Sequence, residues 1–272
     1  FALRASLQNG FRAPSLQQQF FATTSTNFIG GIPFDITTFP ATDPVARALG
    51  AQELDAEESQ NFSIGAVIQL GDLNITIDAY RIDIDDRIVL SENLTQDNVR
   101  EYLEDQGFIG VGGGRFFING VDTETEGVDI VMSYPWSTDR LGRFDFTLTA
   151  NFNSTDVTRG PTTEELAALD PASVLFERVN VLTFEEGTPE DKYTFAANWS
   201  MDRISATFRA TRYGEVLSPD TAATFTSPVI NDVVLSPTTL IDIEGRLDVT
   251  DNIRVALGAD KVTDDYPDRN PP

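Results

Sequence analysis

Residues 143–153 read R-F-D-F-T-L-T-A-N-F-N, and apolar and polar side chains alternate at every position of this segment. Its apolar members are Phe144, Phe146, Leu148, Ala150 and Phe152. Successive side chains of a β-strand point to opposite faces, so the pattern predicts a strand with one apolar and one polar face. About ten residues is also the length that a tilted strand needs to cross the hydrocarbon core of a bilayer.

Similar segments recur along the chain, and very short connections join several of them. Two-residue connections at Gly71 and Asp72, at Asp202 and Arg203, and at Asp251 and Asn252 predict three β-hairpins. A fourth short connection, residues 135–142, leads from a strand at 121–134 into the segment quoted above.

The other connections are long and alternate with the short ones. They cover residues 9–56, 88–118, 154–191 and 213–239, and we predict short helices inside them at 43–50, 95–106 and 163–169. An outer-membrane barrel has this asymmetry, with tight periplasmic turns and long extracellular loops. We therefore predict an all-β fold, an antiparallel up-and-down meander of nine or ten strands that forms part of a large transmembrane β-barrel.

The last hairpin has the clearest division between its two faces. Asp242, Glu244, Arg246 and Asp248 share one face, and Ile241, Ile243, Leu247 and Val249 share the other. A charged side chain facing lipid costs about 2–4 kcal/mol at the bilayer midplane. We therefore predict that the four charged residues face the barrel lumen.

Two further patterns concern strand ends. In the segment that follows Gly71 and Asp72, the apolar positions switch from Ile77 and Ala79 to Tyr80, Ile82 and Ile84. A β-bulge, or passage of the strand beyond the bilayer into a rim, would explain this switch. Aromatic residues near strand ends suit interfacial girdles, although a soluble core would also hold some of them: Tyr80, Tyr134, Trp136, Trp199 and Tyr213.

Composition excludes several classes of function. The 272 residues include 43 Asp and Glu against 19 Lys and Arg, a formal net charge of −24 that argues against nucleic acid as a partner. There is no Cys and no His, so disulfides, thiolate metal sites and imidazole ligands are absent. We predict no cofactor and no enzymatic activity. No run of 18 apolar residues occurs, so no transmembrane helix is predicted.

Four segments resemble TonB-dependent outer-membrane receptors, in the order in which that family has them. They are N-G-F-R-A-P-S-L-Q-Q-Q-F (9–20), D-A-Y-R-I-D-I-D-D-R-I (78–88), R-F-F-I-N-G-V-D-T-E-T-E-G-V-D (115–129) and G-A-D-K-V-T-D-D-Y-P (258–267). The resemblance covers nearly the whole chain and matches the C-terminal part of the family's barrel. One departure is that Glu124 and Glu126 stand where the resemblance leads us to expect basic residues. The local charge expected for the lumen is therefore in question.

This resemblance implies an active transport receptor in the outer membrane of a Gram-negative bacterium. Such a receptor takes up a scarce solute, for instance a siderophore-iron complex, cobalamin or an oligosaccharide. The implied partners are outer-membrane lipid and lipopolysaccharide, the receptor's own plug domain, the TonB complex and the small-molecule substrate. Family barrels have about 22 strands, so residues 1–272 are expected to be a portion of the barrel wall, without the plug, the TonB-contacting segment and the last strand.

Two other classes of protein remain open at this stage. One is a non-energised outer-membrane barrel, either a porin or an adhesin. The other is a soluble all-β module that binds carbohydrate, in which the apolar face of residues 143–153 would be buried against a second sheet. For a barrel piece, we expect that face to meet lipid or detergent, and we expect a sheet of eight to ten strands with both edges unpaired.

The aromatic residues of the long connections are candidates for binding the solute. Phe20, Phe21, Phe28 and the run Arg115, Phe116 and Phe117 could form an extracellular platform with a few polar groups. The alternative is that they pack the loops together or lie at the lipid rim.

The acidic residues suggest two other kinds of site. Residues 83–86 and 122–126 offer hard oxygen ligands that suit calcium, although neither follows the EF-hand pattern. The pairs Glu164-Glu165 and Glu185-Glu186 have the carboxylates that glycoside hydrolysis uses. Acidic clusters of this kind ordinarily form solvated surfaces, and we favour that interpretation for all four.

Overall fold

The fold is a nine-stranded antiparallel meander with two additional strands on one of its members, as seen in a computed structural model. The structure describes residues 1–29, 32–221, 230–264 and 266, with side chains undescribed at 27–29, 32 and 34. The strands are β1 (Ala2–Arg12), β2 (Thr23–Ile29), β3 (Ile32–Phe39), β4 (Glu57–Leu70), β5 (Leu73–Leu90), β6 (Gly114–Thr138), β7 (Gly142–Arg159), β8 (Asp191–Met201), β9 (Ile204–Tyr213), β10 (Val216–Ser218), β11 (Val233–Leu235), β12 (Thr238–Thr250) and β13 (Ile253–Ala259). The helices are α1 (Leu16–Phe20), α2 (Pro44–Ala48), α3 (Asp97–Asp105), α4 (Glu164–Ala167) and α5 (Arg178–Glu185).

The order of neighbours in the main sheet confirms the predicted meander. It runs β1-β4-β5-β6-β7-β8-β9-β12-β13, and every one of these pairs is antiparallel. Within the described residues, β1 and β13 each have one neighbour, so both edges are unpaired as expected.

The tight turns lie at one end of the sheet and the long connections at the other. Gly71 has φ +61° and Asp202 has φ +51°, the left-handed backbone that two-residue hairpin turns require. The turn predicted at 135–142 is shorter than expected, because Trp136 pairs with Phe144 and their rings stack at 5.2 Å. The strand therefore continues to Thr138, and residues 139–141 make the turn.

The central strands are much longer than a bilayer requires. β5 and β7 have 18 residues each and β6 has 25, whereas about 9–11 residues suffice to cross the hydrocarbon core. The sequence pattern underestimated β6, since residues 114–120 do not alternate and their pairing depends on the distant β3 and β5. At the long-connection end, these strands therefore continue beyond the length that a bilayer crossing needs.

The sheet has an apolar face and a polar face, and no second sheet formed by the described residues covers the apolar face. A ladder of rings crosses the apolar face through Trp136, Phe144, Phe146, Phe195 and Phe208, with successive centroids 5.2–6.4 Å apart. Leu148 is still 37% exposed and Phe152 is 40% exposed. The burial expected for a soluble sandwich is therefore not observed.

The polar face carries cross-strand hydrogen bonds along its length. Arg4 Nε donates to Asp78 Oδ1 at 2.8 Å, the Asn151 amide donates to Asp129 at 2.7 Å, and the hydroxyls of Thr125 and Thr155 lie 2.8 Å apart. These pairs satisfy polar groups on the side of the sheet that faces away from the ring ladder.

The switch of polarity in β5 takes place without a bulge. β5 and β6 pair without interruption from Asn74 to Ile84, and the register shifts only beyond that residue. Arg81 and Asp83 therefore follow Ile77 and Ala79 on the same face. We call the apolar part of this face, which includes Ile77 and Ala79, the apolar belt, and the charged part at the long-connection end, which includes Arg81 and Asp83, the charged rim. Of the two explanations, the structure supports passage of the strand beyond the bilayer.

The same register corrects two expectations. Tyr80 and Tyr213 lie on the polar face, so they are not part of a girdle; Tyr134, Trp136 and Trp199 lie on the apolar face near the tight turns. Glu124 and Glu126 lie on the same face as Val128 and Arg81, so they contribute charge to the outer rim and none to the polar face.

The largest buried core lies in the long connections rather than in the sheet. It includes Leu49, Leu94, Val99, Leu103 and Leu166, each at most 1% exposed. We call this assembly the loop cluster: the connections 13–56, 91–113 and 160–190 together with the strand ends that they cover. In the described part of the chain, no helix is long and apolar enough to span a membrane.

The three predicted loop helices are present, and the pattern missed other elements. Asp43 Oδ1 accepts from Val45 N at 2.8 Å to start α2, Gly107 with φ +91° follows α3, and Thr163 caps α4. The helices α1 and α5 and the strand pairs β2-β3 and β10-β11 were not predicted. α1 and α5 contain no buried residue, and β10 and β11 have three residues each, so hydrophobic periodicity gives little signal for these elements.

Candidate functional site

The loop cluster is built on a strand pairing between two of the long connections. β3 runs parallel to the start of β6, which places Thr37, Thr38 and Phe39 beside Gly114, Arg115 and Phe116. A Cβ at Gly113 would come within 2.6 Å of the Thr95 side chain, and one at Gly114 within 2.7 Å of the Phe39 ring, so glycine lets these side chains pack against the segment. The glycine-rich segment thus serves to pack the loops closely.

Within the run from Arg115 to Phe117, the three side chains have different surroundings. Phe116 is fully buried in the loop core, and its backbone exchanges hydrogen bonds with Ser91. Its ring therefore packs the loops, which is the alternative left open by the sequence, and it has no surface for a solute. Arg115 Nε donates to Thr38 Oγ1 at 2.9 Å, and Phe117 is half-buried.

The other predicted aromatic residues lie apart from this run. Phe20 and Phe21, at the end of α1, are 63% and 39% exposed and do not join the buried cluster formed by the described residues. The side chain of Phe28 lies outside the described residues. The structure therefore does not bring the candidates into one compact platform.

A group of residues that the sequence pattern did not identify lies where the polar face meets the loop cluster. Arg87 stacks over the Phe184 ring at 4.7 Å and donates to Thr123 Oγ1 at 3.0 Å. Beside it, Glu57 is 7% exposed and accepts from Arg12 Nε at 2.7 Å and from Ile88 N at 2.7 Å. Arg87 lies in β5 and Phe184 in α5, about 100 residues later in the chain, so local patterning contains no signal for their contact.

Two carboxylates join neighbouring connections to each other. Glu92 accepts from Asn180 Nδ2 at 2.6 Å and from Glu177 N at 3.2 Å, and burial raises the pKa of Glu92 above its ordinary value. Asp232 accepts from Arg178 Nη1 at 2.9 Å, and this hydrogen bond lowers the pKa of Asp232.

The acidic segments considered for calcium are paired with arginine. Arg81 contacts Asp83, Glu124 and Glu126, and Arg159 contacts Asp86 and Asp122. Among the described residues, no group of three or more carboxylates has the geometry to hold a metal ion. Of the pairs considered for glycoside hydrolysis, Glu185 accepts from the backbone N–H of Val157 at 3.0 Å, which is a structural contact.

The predicted lumen residues share one face of β12, as the alternation required. Asp242 accepts from Arg209 Nε at 2.9 Å, Arg246 contacts Glu244, and Arg254 Nη2 donates to Asp248 at 3.1 Å. Ile243 and Leu247, on the opposite face, are 47% and 46% exposed. Each charged residue of the set therefore has a partner of opposite charge on the polar face.

The long connections are strongly acidic. Residues 13–56, 91–113, 160–190 and 214–237 contain 19 Asp and Glu but three Lys and Arg. Charge of one sign at a binding surface raises the local concentration of oppositely charged solutes and repels like-charged ones. The loop end of this chain therefore attracts cations and disfavours polyanions.

The solved structures that share this fold include receptors and a transporter. The ferric enterobactin receptor PfeA of Pseudomonas aeruginosa, in a variant complexed with enterobactin, superposes with a TM-score of 0.61 at 16% identity, covering 97% of this chain and 33% of that chain. The copper transporter OprC gives 0.56 at 13% identity, with 97% and 31% covered. The siderophore receptor PirA of Acinetobacter baumannii gives 0.59 at 14% identity, with 96% and 34% covered.

These similarities establish the fold, and the chain spans about a third of the length of these relatives. Among curated protein sequences, none matches this chain. The family model for the TonB dependent receptor-like β-barrel matches residues 1–260. A match over nearly the whole chain, on a sheet with this order and these two faces, shows that the chain belongs to the TonB-dependent receptor β-barrel family.

Proposed function

We propose that this chain is part of the wall of an outer-membrane receptor that imports a scarce solute with energy supplied through TonB. The observation that carries the proposal is the uncovered apolar belt on a meander whose long connections all lie at one end. In this arrangement the apolar belt meets lipid, the loop cluster lies outside the cell and the tight turns lie in the periplasm.

The polar face is proposed to line the lumen, where it would meet the plug domain and water. Asp242, Glu244, Arg246 and Asp248 lie on that face, and their pairing with arginine suits a polar interior better than lipid. Lipid on this face would meet charged side chains, each costing about 2–4 kcal/mol at the midplane.

We infer that the solute is a metal complex, since the neighbours are named for ferric enterobactin, copper and a siderophore. Cobalamin and oligosaccharides are the competing substrates. The acidity of the long connections favours a neutral or cationic complex over a polyanionic one. Phe20, Phe21, Phe28, Arg115 and Phe117 are proposed to contact it, with Phe116 holding the loops in place.

The orientation of the sheet is tested by single cysteines in the full-length receptor. A cysteine at Phe146 should react with a lipid-soluble probe, and one at Thr147 should react only with a water-soluble probe. No thiol of this chain competes, because its sequence has no Cys. Protection of both positions from the lipid probe would mean that the apolar face is an internal core, which the proposal does not allow.

Energy coupling is tested separately by uptake of ferric siderophores, cobalamin and labelled oligosaccharides into cells with and without TonB. We expect uptake of a ferric siderophore that stops when TonB is deleted. Uptake that continues without TonB would identify a porin instead.

A further inference from the structure

A groove crosses the outer wall where the apolar belt meets the charged rim. It lies over β4 to β8, has a volume of about 780 Å³, and its apolar lining consists of Phe62, Ile64, Ala79, Val128, Phe152 and Tyr193. Register places all six of these residues on the face of the ring ladder. The small side chain of Ala79 forms the low point between its cross-strand neighbours Ile64 and Val128.

The groove has an apolar floor and a charged upper edge. The Phe152 and Tyr193 rings meet edge to face at 5.5 Å at one side, and Phe62, which is 48% exposed, stands at the other. Arg81, Glu126 and Asp191 line the upper edge. This arrangement suits an amphipathic occupant with its apolar part in the belt and its polar part at the rim, and the volume lies within the range of about 300–1,000 Å³ usual for ligand sites.

The rest of the barrel wall leaves the groove open. β5, β6 and β7 each have both sheet neighbours within this chain, and β4 and β8 do as well. Additional wall strands would join at β1 or β13, and a plug would lie on the opposite face. The groove is thus continuous with the apolar belt that meets lipid under the proposed function, on which this inference rests.

The rim charges indicate which headgroup fits. Arg81 is shared by Asp83, Glu124 and Glu126, and Arg212 Nη1 donates to Asp191 at 2.7 Å, so both arginines are already paired. A headgroup that offered only phosphate would meet an acidic rim without a free arginine to bind it. Sugar hydroxyls donate hydrogen bonds to carboxylates, so they are the better match.

We propose that this groove binds an acyl chain of a sugar-bearing lipid of the outer leaflet, with the sugar headgroup at the rim formed by Arg81, Glu126 and Asp191.

The proposal is tested by filling the groove in the full-length receptor. Ala79→Phe places a ring at its low point, and Ala66→Phe is the matched control, because Ala66 lies on the same face of the adjacent strand outside the groove. Each protein is purified from native outer membranes in mild detergent, and its bound lipids are counted and identified by native mass spectrometry.

We expect one glycolipid to remain on the unmodified receptor and on Ala66→Phe, and that mass to be lost from Ala79→Phe. The proposal would be overturned if all three proteins retained lipid equally or if both variants lost it. It would also be overturned if a phospholipid or peptide were bound in place of the glycolipid. Uptake is measured in the same cells. Intact uptake by an unmodified receptor that retains no glycolipid refutes only this inference, whereas absence of the receptor from the outer membrane refutes the proposed function.

Discussion

At the scale of single residues, the side chains that decide the site are those that join connections distant in sequence. Glu92 is an example, since it holds Glu177 and Asn180 of another connection while burial disfavours its charged form. Nothing in the sequence around Glu92 distinguishes it from the exposed acids of α3. Its environment is created by the packing of α5 and the loop core.

The raised pKa of Glu92 makes the loop cluster sensitive to pH. A carboxyl group whose pKa is higher in the folded state than in the unfolded state destabilises the fold above that folded pKa. The stability of the loop cluster should therefore rise as the pH falls from neutral through the raised pKa towards the ordinary value of 4.5. Hydrogen exchange of residues 91–113 at pH 7 and at pH 5 measures this change.

The variant Glu92→Gln should remove most of that pH dependence and slow exchange at pH 7, because the amide oxygen can still accept both hydrogen bonds without a buried charge. Glu104→Gln, at an exposed position of α3, is the control and should leave the dependence unchanged. A steeper pH dependence in Glu92→Gln would contradict the assignment.

At the scale of elements, alternation of side chains determines which face of each strand meets which environment. Residues 143–153 showed this without ambiguity, and the register with β6 and β8 confirms it. The ends of the strands were less predictable. β5, β6 and β7 continue beyond the apolar belt, where the alternation no longer separates apolar from polar residues and pairing depends on partners far away in sequence.

The two faces of β7 predict opposite responses to a charge. Leu148→Arg puts a guanidinium on the apolar belt and should destabilise the full-length receptor by about 2–4 kcal/mol. Thr149→Arg puts the same group on the polar face and should cost less than about 1 kcal/mol. Urea unfolding of the receptor in lipid vesicles measures both, and an equal cost at the two positions would contradict the assignment of faces.

The loop cluster should unfold separately from the wall. Leu103 is 1% exposed in the loop core, and Leu103→Ala removes packing worth about 2–5 kcal/mol in buried sites. We expect faster hydrogen exchange in residues 91–113 and 160–190 with unchanged protection in β6 and β7 below the rim. Leu141→Ala, at an exposed tight turn, is the control. Loss of protection throughout the sheet would show that the two parts unfold together.

At the scale of the whole molecule, the chain buries little of its apolar surface in the sheet. Its buried core lies in the loop cluster, and the ring ladder and both sheet edges are uncovered. An unpaired strand edge beside an exposed apolar face is a template for association. The arrangement is unsuited to water and suited to a lipid environment with neighbouring strands.

The isolated 272-residue chain should therefore aggregate in aqueous buffer despite its net charge of −24. Addition of detergent above its micelle concentration should cover the belt and restore a soluble species, which sedimentation measures. A monodisperse monomer without detergent would argue against the exposed belt. A triple variant should aggregate less, because it removes apolar surface from the belt. It combines Phe146→Ser, Leu148→Ser and Phe195→Ser.

By itself, the sequence determined that the meander has nine strands, which face is apolar where apolar and polar residues alternate, which ends carry the tight turns and the long connections, and where three loop helices lie. These features depend on local alternation, turn residues and helix caps, all of which act between residues near each other in the chain. Only the tertiary structure decided that Phe116 is buried, that Arg87 stacks on Phe184, that Glu124 and Glu126 lie on the outer rim, and that a groove opens above Ala79. Each of these depends on strand register or on packing between separate connections, which no local pattern specifies.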